Sequence, residues 1–250
     1  MNPSPKIAYL TIDDGPTAAM GNKSAYLLAH GIPAVFFCTG TAIERYPESV
    51  VVAIQQGFVV GNHGYDHPHF SSLPLPQCLE QIRRTDGLLN TMYARAGVAR
   101  TAKYFRFPYG DKGALTGYDA RAQPGVEGAA RKAAIQQCLR ELGYTLPRFP
   151  GVTYDYWRSA MAKDADWYWT YDVMEWSIFA TVPQYGVTSI EHVFARMDEV
   201  APQEGRGLNS PGSEEIILLH DHPETDALFA LIVDRLLAKG LKFALPEAPR

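Results

Sequence analysis

The chain has 250 residues, 46% of them apolar, and a formal net charge of −4. That is enough for one large α/β domain or two small ones with a sizeable core, and it gives no electrostatic case for nucleic acid or an anionic membrane surface. Three scattered cysteines, Cys38, Cys78 and Cys138, form no CxxC pair, which argues against a disulfide framework and a cysteine-based zinc site.

The first strand is expected at Ile7–Asp13, after a polar Met1–Lys6 stretch that does not resemble a secretory leader. No apolar run is long enough to span a bilayer. As written, the chain is expected to stay inside the cell, and removal of a leader from a secreted or periplasmic protein would leave the same sequence. A continuously apolar strand follows at Ala34–Thr39, then a helix over Ile43–Gln56 stopped by Gly57. Next come a strand at Phe58–Asn62, a helix over Pro76–Arg95 and a strand at Lys103–Phe107. Asp111–Gly128, rich in Gly and Ala, reads as a surface loop leading into a helix over Gly128–Leu142. A strand is expected at Asp166–Val173 and a helix over Ser189–Val200 with Ser189 as N-cap, followed by a second loop at Ala201–Gly212. The strand Glu215–His220, the helix Asp226–Lys239 and the strand Lys242–Ala244 close the pattern. Apolar strands alternating with helices predict a parallel α/β fold covered on both faces. About seven strands without a Gly-rich dinucleotide fingerprint favour a barrel over a Rossmann sheet.

Asp13, His63, Arg106, Asp172 and His220 each fall at or just past the C-terminal end of a predicted strand, the end that carries the site in parallel barrels. Asp13 and Asp14 are adjacent carboxylates ahead of Gly15-Pro16, and such like charges repel unless a cation intervenes. His63 and His67 stand four apart in a Gly/Pro-flanked segment, a spacing suited to chelating one metal. One aspartate added to this pair gives a site with open positions, the catalytic kind of zinc site. Arg106, at the end of an apolar strand, needs an anion, and Asp13 suits it. His220, in His220-Asp221-His222, can donate a proton near neutral pH.

These residues carry a resemblance. Thr11-Ile12-Asp13-Asp14-Gly15-Pro16, the His63/His67 pair, Arg106-Phe107-Pro108-Tyr109-Gly110, Asp172-Val173-Met174-Glu175-Trp176 and Leu218-Leu219-His220-Asp221 resemble, in order, the five motifs of the polysaccharide deacetylase family, the NodB-homology or carbohydrate esterase family 4 domain. The resemblance implies a distorted (β/α)7-type, NodB-like barrel over residues 1–250, with an extended insertion at about 111–166. It implies a divalent metal, usually Zn2+ with Co2+ or Ni2+ as alternatives, bound by Asp14, His63 and His67. Asp13 is then the base, His220 the acid, Arg106 the holder of Asp13, and Asp172 the partner of His220. Tyr109, Trp176 and Leu218 border the substrate, and the backbone N–H near Tyr109 helps hold the oxyanion.

This sequence departs from the motifs at Gly64, where a Ser or Thr is usual, and at Glu175, where an Asp is usual. Asp155, in Tyr154-Asp155-Tyr156-Trp157, rivals Asp172 as the fourth-motif acid. Aromatic residues crowd Tyr154–Tyr171 and suit half-wet sugar-stacking surfaces, although strand periodicity favours packing for Trp167 and Trp169. The expected activity is metal-dependent removal of N-acetyl groups from an acetylated carbohydrate, peptidoglycan or chitin-like. Alternatives are an esterase or small-molecule amidase on the same scaffold and a non-catalytic carbohydrate-binding protein.

Overall fold

The structure, a computed structural model, describes residues 6–116, 122–200, 207–210 and 212–248. Six strands, β1 (Ile7–Gly15), β2 (Ala34–Cys38), β3 (Val59–Asn62), β4 (Tyr171–Asp172), β5 (Glu215–His220) and β6 (Lys242–Phe243), form one sheet. Its order is β3-β2-β1-β5-β4, β6 pairs with the start of β1, and every pairing is parallel. The helices are α1 (Met20–Ala29), α2 (Gly40–Arg45), α3 (Pro47–Gln55), α4 (Leu75–Ala96), α5 (Val126–Glu141), α6 (Asp155–Ser159), α7 (Ile190–Asp198) and α8 (Asp226–Ala238). No described helix is long and apolar enough to cross a membrane.

The expected strand Lys103–Phe107 is reduced to a lone bridge, and of the expected Asp166–Val173 only β4 pairs as a ladder. Phe105 makes a lone parallel bridge to Asn62 at the end of β3. Trp167 N–H then donates to Phe105 O at 2.8 Å, and Thr170 N–H to Ile216 O at 2.9 Å. These bonds continue the wall from β3 through residues 105 and 167–170 toward β5 where no ladder forms. Tyr168 and Trp169, between the Trp167 and Thr170 bonds, line the cleft described below.

Side-chain alternation sorts the strands into two faces. Leu10, Ile12, Phe36, Val60, Ile217 and Leu219 pack outward into the main core under the helices. Tyr9, Val35, Phe37 and Ile216 pack with Trp167 in the inner cluster. Continued one step, the inner set of β1 leads to Thr11 and Asp13, and that of β5 to Leu218 and His220.

The helix expected over Ile43–Gln56 is split into α2 and α3. Pro47 has no N–H to continue α2 and pushes Tyr46 out of the helical region, to φ −130° and ψ 54°. Helix α1 is an addition to the expected set. Its Lys23 is buried in ion pairs with Asp221 at 2.6 Å and Asp226 at 2.5 Å, so the helix hides a charge where a periodic pattern needs an apolar residue. Ser189 caps α7 as expected, accepting from His192 N–H. Of the two expected loops, residues 117–121, 201–206 and 211 lie outside the described residues.

Candidate active site

At the C-terminal ends of the strands lies a cleft of about 750 Å³ lined by Asp13, Asp14, His63, His67, Tyr109, Asp172, Trp176, Leu218 and His220. The parallel register of β1 and β5 sets Asp13 opposite His220. Asp13 is 3% exposed and accepts from Arg106 Nη1 at 2.8 Å. The same nitrogen donates to Thr11 Oγ1 at 2.7 Å. Arg106 is fully buried behind Asp13, over the Phe37 ring. Burial lowers the pKa of its guanidinium, and the charge of Asp13 works against that effect.

Alternation along β1 would send Asp14 away from Asp13. Instead the β1–β2 register breaks between Ile12 and Gly15, and Asp14 takes φ 68°. A bulge of this kind re-aims a side chain, so both carboxylates reach one cleft. Asp14 Oδ1 lies 3.2 Å from His63 Nε2 and 2.9 Å from His67 Nε2. His63 Nδ1 faces the Arg106 carbonyl at 2.8 Å, which directs Nε2 to the cluster. The next residue, Gly64, has φ +75°, a conformation in which the hydroxyl residue usual in this motif would be strained.

The donor set fits a divalent cation. One ligand atom from each of Asp14, His63 and His67 lies within 4.8 Å of the others. Asp14 Oδ1 is buried without a partner in hydrogen-bonding alignment, so the two imidazoles face it off-line, as ligands about a common point do. Burial opposes charge on Asp14, but the imidazoles of His222, His63 and His67 outweigh it and hold the carboxyl well below the usual carboxylate range. Burial likewise depresses His63, and the charges of Asp13 and Asp14 overcome it, leaving its pKa raised.

On the other wall, Glu175 rather than Asp172 holds His220. Glu175 Oε1 accepts from His220 backbone N–H at 2.6 Å and lies 3.1 Å from Nδ1, leaving Nε2 toward the cleft. The carboxylate of Asp172 is occupied in its own turn, accepting from Met174 N–H at 2.8 Å and Trp176 Nε1 at 3.3 Å. The longer arm of Glu175 reaches His220 from the short 3-10 turn at Glu175–Phe179. Burial pulls His220 down, the Glu175 charge reverses this, and its pKa is pushed up to about 10. Burial, together with the Glu175 charge, raises Asp172 to about 6 against the pull of His220. Asp155 is exposed on α6 and does not border the cleft.

Tyr109 stacks on His69 at 3.8 Å between centroids and meets the edge of His67 at 4.5 Å. The next residue, Gly110, has φ +68°, and a Cβ there would lie 2.6 Å from Tyr168. Trp167 packs in the core as periodicity implied, but Tyr168 and Trp169, stacked at 4.2 Å, line the cleft with Tyr185 and Gln184. Sequence reasoning missed Glu175 as the partner of His220, and it gave no role to His222, whose Nε2 lies 2.6 Å from Asp14 Oδ2. The signal available for His222 was its place two residues after His220.

The chain is similar to known proteins. It is 36% identical over 103 residues to a peptidoglycan-N-acetylglucosamine deacetylase of Bacillus cereus, covering 41% of this chain and 36% of the relative. It is 32% identical over 111 residues to chitin deacetylase 3 of Cryptococcus neoformans, covering 44% of this chain and 26% of the relative. The chain therefore matches well under half the length of these curated relatives. A family 4 carbohydrate esterase from Streptomyces lividans, solved with acetate, superposes with a TM-score of 0.59 over 98% of both chains at 22% identity, so the parallel α/β fold is that of the NodB-like barrel. The family model for polysaccharide deacetylases matches residues 1–127, half of the sequence and both the Asp13-Asp14 and His63/His67 motifs, and the chain belongs to that family.

Proposed function

We propose that the protein is a divalent-cation-dependent hydrolase that removes N-acetyl groups from an acetylated sugar, peptidoglycan or a chitin-like oligosaccharide. The observation that carries this reading is the pairing of Asp13 with His220 across β1 and β5, in the cleft that also holds the Asp14–His63–His67 cluster. Asp14, His63 and His67 would hold the cation, most simply zinc given two imidazoles and one carboxylate. A cation held there acidifies water and polarises the substrate carbonyl.

The residues of the chain do the rest. Asp13 takes the proton of the attacking water. Arg106 holds that carboxylate in place through their 2.8 Å contact. His220, protonated by virtue of Glu175, gives its proton from Nε2 to the departing nitrogen, as amide cleavage requires. The backbone N–H of Tyr109, a residue that lines the cleft, would help hold the oxyanion. Trp176 and Leu218 line the cleft and would border the acetyl methyl group, and Tyr168, Trp169 and Tyr185 would offer faces for sugar rings.

Acetate release from chitooligosaccharides and from peptidoglycan fragments, with and without chelator, tests the reading. Chelation should abolish release and zinc should restore it. Asp13→Asn should retain cation binding yet lose about 10²–10⁴-fold in kcat, the range for a general base. Wild-type turnover by Asp13→Asn would remove Asp13 from its role. Acetate released only from acetylated xylan would make the enzyme an esterase.

A further inference from the structure

His222 is the third imidazole around Asp14, and the family motifs give it no role. Its Nε2 lies 2.6 Å from Asp14 Oδ2, the oxygen that faces away from His63 and His67. At that length the contact is a charge-assisted hydrogen bond, with N–H donating to carboxylate. We propose that His222 is the positioning residue of the cation site. It fixes Asp14 through Oδ2 so that only Oδ1 is presented to the imidazole pair. The proposal rests on the assignment of Asp14, His63 and His67 as the cation's ligands.

Two features of the structure support it. The first is that Asp14 cannot hold itself in place. It sits at φ 68° in a break of the β1–β2 register, where a carboxylate on a strained backbone has no strand neighbour to orient it. The second is that His222 is held rigidly to the same loop. Asp221, with a fully buried side chain, accepts from Thr17 N–H and Thr17 Oγ1, each at 2.7 Å, and from Lys23 Nζ at 2.6 Å. The segment after β5 is thereby pinned to the segment after β1, and His222 is brought against Asp14 as a consequence. A carboxylate with one oxygen tied in this way binds a cation through the other alone, which preserves open positions for water and substrate.

Zinc affinity, read by competition with a chromogenic chelator, tests this with His222→Ala and His222→Gln beside wild type. The Gln amide N–H reaches about as far as an imidazole Nε2 and replaces the donor without offering a nitrogen ligand. His222→Ala should bind zinc about 10–100-fold more weakly, the usual cost of losing a group that orients a ligand, and His222→Gln should recover most of that loss. The visible spectrum of the Co(II)-loaded protein should be the same in wild type and His222→Gln. Unchanged affinity in His222→Ala overturns the proposal, as does a loss in His222→Gln equal to that in His222→Ala. A Co(II) spectrum altered in His222→Gln overturns it in favour of direct ligation by His222. If wild type itself binds no zinc, or His63→Ala binds it as well as wild type does, the ligand assignment fails instead.

Discussion

Asp14, His67, Tyr109, Met174 and Tyr185 all have φ between 51° and 68°, and all five line the same cleft. Leu115 is the sixth non-glycine residue with positive φ among those described, and it lies elsewhere. Such conformations cost on the order of 1–3 kcal/mol each and persist where the surroundings over-determine them. At Asp14 the gain is chemical: two sequence-adjacent carboxylates reach one site, with Arg106 holding one and three imidazoles surrounding the other. A parallel division of labour governs His220. With its pKa near 10, set by burial working against the Glu175 charge, it stays protonated across the neutral range. The stabilisation it contributes is complete below the ordinary histidine pKa and is lost as pH rises through about 10. The alkaline limb of kcat/KM should fall in that upper region. Glu175→Gln removes the anion, so the limb should move toward neutral by about 1–3 pH units, the effect of one close opposite charge, while Asp172→Asn should move it less. An identical profile in Glu175→Gln would show that Glu175 does not set the protonation of His220. The acids and imidazoles of this site were legible as residue types at strand ends. Which acid met His220 was not, because Asp172 and Glu175 differ by one turn of backbone, and only the Met174 and Trp176 donors show that Asp172 is already occupied.

The elements behind the site are tied by buried polar bonds as much as by apolar packing. Asn62, the last residue of β3, donates to Ile82 O in α4 at 3.0 Å and to Tyr144 OH at 2.8 Å, and its Oδ1 accepts from Gly64 N–H at 2.9 Å. Tyr144 OH in turn donates to Asp86 Oδ1 at 2.7 Å. The turn that carries His63 is therefore braced against α4 and the segment after α5. Tyr144→Phe leaves the buried Asn62 amide and Asp86 carboxylate each short of a partner. It should lower stability by about 1–3 kcal/mol, the cost of unsatisfied buried groups. The expected result in denaturant is a lower midpoint at unchanged slope, and an unmoved midpoint would show the network to be dispensable. The same preference for polar ties explains which elements the sequence conceals. β1, β2 and β5 are buried on both faces and read directly as apolar runs. α1 is obscured by its buried Lys23, whereas Phe105 and Trp167 lie in apolar runs that read as longer strands than the lone bridge and few hydrogen bonds that hold them. The break between α2 and α3 was legible in Pro47, whose missing N–H outweighs the apolar periodicity that runs across it.

At the scale of the molecule, the proposed cation would link segments that lie two strands apart in the sheet and that Arg106 already ties together from behind. Asp14 belongs to the end of β1, and His63 and His67 to the segment after β3, with β2 lying between these strands in the sheet. Because the three ligands come together only in the folded chain, binding must add to folding stability. At zinc concentrations about 100-fold above Kd the gain is about 2.7 kcal/mol. For a chain of this size each kcal/mol corresponds to about 2–4 °C in Tm, so Tm should rise by about 5–10 °C on adding zinc and fall back with chelator. Magnesium, which prefers oxygen ligands and near-octahedral geometry, should leave Tm unchanged. His63→Ala should lose the zinc response while keeping most of its cation-free stability, since His63 packs against charged groups rather than in the main apolar core. A Tm indifferent to zinc in the wild-type protein would mean that Asp14 and the two imidazoles meet without holding a cation, and the hydrolytic reading would lose its source of activated water.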